Sequence, residues 1–118
     1  MNNVLHLPLK AKWYEMIESG VKTEEYREKK PHWIKRFAKI YPARYRGLFN
    51  SCVEKNDFTP LLGKVVTPAC KFVKFSYGYT RRTMTFEFLH ITLDKGKSEW
   101  GAPNEDVFII KLGKRINE

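Results

Sequence analysis

Apolar and polar positions change their spacing twice along the chain, from strand to helix and back to strand. Residues 4–7 read as a short strand with Leu5 and Leu7 on one face, ended by Pro8. Residues 10–19 read as a helix, because Leu9, Trp13, Met16 and Ile17 recur at helical spacing. Gly20 stands where a left-handed C-cap is expected. Residues 22–28 are almost wholly polar. Strict alternation would put Lys22, Glu24, Tyr26 and Glu28 on one face and Thr23, Glu25 and Arg27 on the other, a poor core strand either way. Pro31 suits the first position of a second helix. Trp33, Phe37 and Ile40 give that helix an apolar face, Lys35, Arg36 and Lys39 a basic one, and Pro42 stops it. Residues 43–68, punctuated by Pro60, Gly63 and Pro68, fit a short helix and an irregular excursion equally well.

From residue 71 the period becomes that of a sheet. Residues 71–77 form one predicted strand and 82–93 a longer one, joined by a hairpin at Gly78-Tyr79-Thr80-Arg81. Met84, Phe86 and Phe88 line one face of the long strand. Thr83, Thr85 and Glu87 begin the other, which turns apolar at Leu89, Ile91 and Leu93. Residues 94–105 are a loop with Gly96, Gly101 and Pro103. Residues 107–112, apolar on both faces, predict a central strand, and Gly113 opens a polar tail. Helices early and strands late predict an α+β domain over residues 1–118 with a mixed or barrel-like sheet.

Composition adds the first functional clue. At 42% hydrophobic and 14% aromatic the chain has enough apolar side chain for a core, which argues against disorder. Lys and Arg exceed Asp and Glu by enough to give +9, a balance that favours a polyanionic partner. Cys52 and Cys70 show no CxxC spacing, and His6, His32 and His90 are scattered, so neither a metal site nor a cofactor is expected. Nothing approaches the ~20 apolar residues of a membrane helix. The opening residues lack the basic start and apolar core of a signal peptide. The expectation is a cytoplasmic protein.

The chemistry concentrates in Gly20-x-Lys22-x-x-Glu25-x-Arg27. This segment resembles the GxKxxExR signature of the ASC-1 homology (ASCH) domains at every specified position. The lead-in Leu5-His6-Leu7 and the helix from Lys12 to Gly20 resemble the family's approach to its motif. Phe75–Tyr79 with Thr83–Glu87, and Glu99-Trp100-Gly101 ahead of Val107–Gly113, are similar to a small bacterial and phage-type subgroup. The resemblance covers most of the chain apart from residues 43–68. It implies a PUA-like mixed β-barrel flanked by helices, with a motif-lined cleft for RNA binding or processing. One branch with a similar motif is an amidohydrolase of acetylated cytidine. It has threonine where this chain has Glu25, so that activity is not carried over. Another member has been proposed to be a ribonuclease.

Taken by themselves, Lys22, Glu25 and Arg27 offer two cations and a carboxylate that could anchor a phosphate or accept a base amino group. A partly buried lysine can also act as a base. The same charges suit an ion-pair network closing a barrel seam. Tyr26 serves equally as a stacking platform and as a packed barrel residue. Trp13 and Trp33 read as core. Trp100, in a Gly/Pro loop, reads as a cleft lid or a loop anchor, while Tyr77 and Tyr79 read as a cleft wall. Arg81 and Arg82, with Lys71 and Lys74, form one basic stretch; Lys35, Arg36, Lys39, Arg44 and Arg46 form another. Mid-strand Glu87 needs a partner, with Lys22 or Arg27 the expected one. The leading function is an RNA- or nucleotide-binding domain using Lys22, Glu25, Tyr26, Arg27, Arg81, Arg82, Glu87 and Trp100. Alternatives are a hydrolase of RNA or a modified nucleoside (ribonuclease or amidohydrolase type) with Lys22 and Glu25 catalytic, and a protein-interaction domain.

Overall fold

The computed structural model describes residues 3–116. Strand β1 (Val4–Leu9) leads into helix α1 (Ala11–Glu18), the motif strand β2 (Glu24–Glu28), and helices α2 (Pro31–Phe37) and α3 (Ala43–Lys55). Strand β3 (Phe72–Tyr77) and the long strands β4 (Thr83–Lys95) and β5 (Asp106–Ile116) follow. The sheet order is β1-β3-β4-β5-β2, with only β1 and β3 parallel. It curls into a half-barrel accompanied by three helices, an α+β architecture. No helix among the described residues is long and apolar enough to cross a membrane.

Several boundaries differ from those the pattern predicts. Pro8 does not end β1. It lies in an edge strand, where a missing N–H is tolerated, so the strand runs on to Leu9. Leu9 is therefore a strand residue, and α1 buries Tyr14 and Ile17 instead, leaving Trp13 half-exposed. Beyond Gly113, β5 continues to Ile116 by pairing with the start of β4. Residues 117 and 118 of the expected tail lie outside the described residues.

The length of β4 is accommodated by irregular pairing. Its register with β5 shifts between Phe86 and Phe88 and again between Phe88 and His90. The shifts interrupt the regular alternation of the strand. The core side chains are Met84, Phe86 and Phe88 up to the second shift and Ile91 and Leu93 beyond it, while Leu89 faces solvent. Strand β5 is apolar on both faces because both are covered. Phe108, Ile110 and Leu112 enter the main core; Val107 and Ile109 pack with Tyr26, Ala102 and Trp100 in a second, smaller cluster.

The segment 43–68, which sequence pattern leaves undecided, belongs to the main core. Phe49 of α3 is fully buried, with ring centroids 5.1 Å from Tyr41 and 5.7 Å from Phe58. Val66 and Leu62 then bridge to Ile91 and Leu93 of β4. Phe49→Ala should lower the unfolding free energy by about 3–5 kcal/mol through loss of apolar burial and the cavity left behind. A urea-unfolding midpoint close to wild type would show that α3 is peripheral.

Candidate functional site

The motif sits where the two ends of the curled sheet face each other. Strands β1 and β2 are its edges. Arg27 Nη2, on β2, donates to the Pro8 carbonyl of β1 at 3.0 Å and pairs with Glu25 Oε2 at 2.9 Å. Glu25 and Arg27 share a strand face, as alternation requires, so one ion pair spans the seam.

Lys22 joins them from outside the strand. Gly20, at φ 84°, turns the chain out of α1, and the Lys22 amide donates to the Met16 carbonyl at 3.0 Å. The side chain is thereby released from the parity of β2. Its Nζ lies 3.3 Å from Glu25 Oε1 and donates to the Trp100 carbonyl. The Trp13 and Tyr26 rings flank it, their centroids 5.2 and 4.6 Å from Nζ. The ammonium is sealed from solvent, the residue being 1% exposed. Burial pushes the Lys22 pKa below its ordinary value, against the raising influence of Glu25. Arg27 is lowered too, again mainly by burial and against Glu25, and its Nε has no hydrogen-bond partner among the described residues.

The 94–105 loop closes over this group through its glycines. A Cβ on Gly96 would come within 2.8 Å of the Tyr26 ring, and one on Gly101, at φ 96°, within 2.8 Å of Trp13. Only a glycine backbone can lie so close to both rings, and that contact delivers the Trp100 carbonyl to Lys22. The Tyr26 hydroxyl donates to Glu24 Oε1 at 2.7 Å and accepts from the Lys97 amide at 3.1 Å.

In front of this assembly two concavities of about 390 Å³ each share Lys10 and Arg27 as their common wall. Trp13, Glu25, Gly78 and Tyr79 line the first; Tyr26, Trp33 and Gly101 help line the second. Tyr79 is 97% exposed on the hairpin beside Gly78. The Glu25 carboxylate, held by Lys22 and Arg27, can accept from an amino group. Lys10 and Arg27 can meet an anion, and Trp13 and Tyr79 offer ring faces.

The structure separates several residues that sequence reasoning had grouped. Lys22, Glu25 and Arg27 come together, but Lys22 lies behind the cleft. Tyr26 is buried with its ring against Lys22 and its hydroxyl occupied. Trp100 contributes its carbonyl, while its ring packs on the second cluster beneath Lys97, whose Nζ is 4.3 Å from the ring centroid. Arg81 is exposed and lines neither concavity. Arg82 pairs with Glu18 at 2.8 Å and lies over Tyr14 and Tyr77, on the outer side of α1. Tyr77 is edge-on to Tyr14 and donates to Glu15, so it forms no cleft wall. Glu87 finds neither Lys22 nor Arg27; its Oε1 accepts from the Lys114 amide at 2.8 Å. Sequence reasoning missed Lys10, and it assigned Trp13 to the core. On a short helix Trp13 and Tyr14 compete for the buried stripe, and packing against β3 selects Tyr14. Nothing local marks Lys10, which reaches the cleft only because α1 starts at the barrel seam.

The depressed Lys22 pKa has a testable sign. Between the lowered folded-state value and the ordinary 10.5, the unfolded chain holds a proton that the folded chain releases. Stability contributed at Lys22 therefore rises with pH across that window. Raising the pH from about 7 to about 10 should shift the unfolding free-energy difference between wild type and Lys22→Met in favour of wild type. A difference independent of pH would mean that burial does not perturb this lysine.

Comparison of the chain with protein-family models, with curated proteins and with solved structures finds no match in any of the three.

Proposed function

We propose that this chain is an RNA- or nucleotide-binding module of the ASCH type within the PUA-like folds, with a base held in the seam cleft. The observation that supports it most is the composition of that cleft: an ion-paired carboxylate at Glu25, a guanidinium and an ammonium at Arg27 and Lys10, and the rings of Trp13 and Tyr79. A carboxylate fixed by two cations is suited to accept from a base amino group, as acidic side chains do from cytosine N4. Flat rings suit stacking, and the surrounding excess of Lys and Arg suits phosphates. In this reading Lys22 acts indirectly, by fixing the Glu25 carboxylate. A cytoplasmic setting belongs to the same proposal.

The two cleft residues whose replacement leaves the seam intact are Tyr79 and Lys10, since Tyr79 and the Lys10 side chain are exposed. Fluorescence anisotropy with short single-stranded RNA should show Tyr79→Ala weakening binding about five- to a hundredfold, the range expected for one stacked base. Lys10→Gln should weaken it more at low than at high salt. Affinities unchanged in both variants would place the RNA elsewhere or remove it.

A hydrolase of RNA or of a modified nucleoside is the second reading. It is favoured by the lowered proton affinity of Lys22 beside Glu25, a pairing suited to proton transfer. It requires product release from a panel of RNAs and acylated nucleosides that Glu25→Gln abolishes while the fold persists. No product from the wild-type protein would leave binding alone.

A further inference from the structure

A second basic concavity lies apart from the motif. His32, Lys35, Arg36 and Lys39 follow one another at i, i+3, i+4 and i+7, so α2 and the turn after it present them on one face. They line a groove of about 440 Å³ floored in part by Leu5 and Ile40. No carboxylate lines this groove, and among the described residues none of the four basic side chains forms an ion pair. Elsewhere in the fold Arg82 is matched by Glu18 and Lys111 by Glu24. Like charges three and four apart disfavour a helix, and here no carboxylate offsets them; Arg36 instead donates to the His6 carbonyl at 3.2 Å.

The groove adjoins the seam cleft. Trp33 lies between the two, with the Arg27 guanidinium 4.8 Å from its ring centroid and that of Arg36 5.5 Å away. Burial chiefly, and the Arg36 charge in addition, lower the Arg27 pKa, so the two guanidiniums feel one another. A cationic path thus leads from the base-sized cleft across a flat indole to Lys35, Arg36 and Lys39, which have no ion-pair partner among the described residues, with His32 as a further hydrogen-bonding group, over an apolar floor.

We infer that the α2 groove is the backbone track for a single-stranded RNA, taking the phosphates on His32, Lys35, Arg36 and Lys39 while a base lies in the seam cleft. The inference rests on the RNA-binding reading and extends it from one nucleotide to a strand. The regular spacing of phosphates suits a periodic row of cations, and the apolar floor suits ribose.

The test uses the double variant Lys35→Gln/Lys39→Gln, since both side chains are exposed and lack ion pairs. Two dye-labelled probes are titrated across a salt series: a single-stranded RNA of about 12 nucleotides, within the usual site size of such grooves, and a mononucleotide. The variant should bind the oligomer roughly tenfold more weakly at low salt. Its plot of log K against log salt should flatten by about 1.4, or about 0.7 per lost phosphate contact. Mononucleotide binding should be unchanged. If the oligomer keeps its affinity and salt slope in this variant while Tyr79→Ala weakens both probes, the track is wrong and the cleft stands. Equal loss on both probes also overturns the track. Displacement of the oligomer by polyglutamate as readily as by unlabelled RNA would assign the groove to an acidic protein. Failure of wild type to bind either probe removes cleft and track together.

Discussion

The site is organised around the enclosure of one ammonium. Removing a charged lysine head from water is costly unless it is paired and hydrogen-bonded, and each neighbour of Lys22 answers part of that requirement. Glu25 supplies the opposite charge, the Trp100 carbonyl an acceptor, and Trp13 and Tyr26 the ring faces that attract a cation. Those neighbours constrain others in turn. The carbonyl is in reach only because Gly96 and Gly101 let the 94–105 loop lie on the two rings. Glu25 is held in place from the other side by Arg27, which reaches across to β1.

Strut and cleft are therefore one network seen from two sides. Behind the seam, Lys22 and Glu25 help hold the loop and the motif strand together. In front of it, Glu25 and Arg27 form the floor of a concavity open to solvent through Tyr79 and Lys10. A seam closed only by apolar packing would offer no fixed carboxylate and no guanidinium to a ligand. The price in stability of burying charges is compatible with binding because the groups are already oriented before a ligand arrives.

The rest of the fold serves this arrangement by bending. The register shifts in β4 move its core face from Met84, Phe86 and Phe88 to Ile91 and Leu93. Helix α3 and the bridges at Leu62 and Val66 cover the concave side and make the 43–68 segment part of the core rather than an appendage. With the concave side filled, the edges β1 and β2 are left to face one another across the motif.

Local information was enough to outline much of this. The hydrophobic periods located β1, β3, β4, β5 and the first two helices, because burial on a helix or a strand imposes its own spacing, whereas the polar β2 stood out only by its alternation and charge. Spacing and charge also singled out Lys22, Glu25 and Arg27 as a group. Other features depended on contacts between residues far apart in the chain. Glu87 is satisfied by the Lys114 amide and Arg82 by Glu18, choices that no local pattern records. Trp13 rather than Tyr14 faces the cleft because β3 packs on α1 from one side only. Lys22 escapes the alternation of β2 because the turn at Gly20 brings it in from outside the strand. The sequence by itself determined which residue types and periods were present, and with them the elements and the charged triad. Tertiary structure decided which of those charges are sealed and which meet solvent, because burial belongs to the packed whole and has no local code.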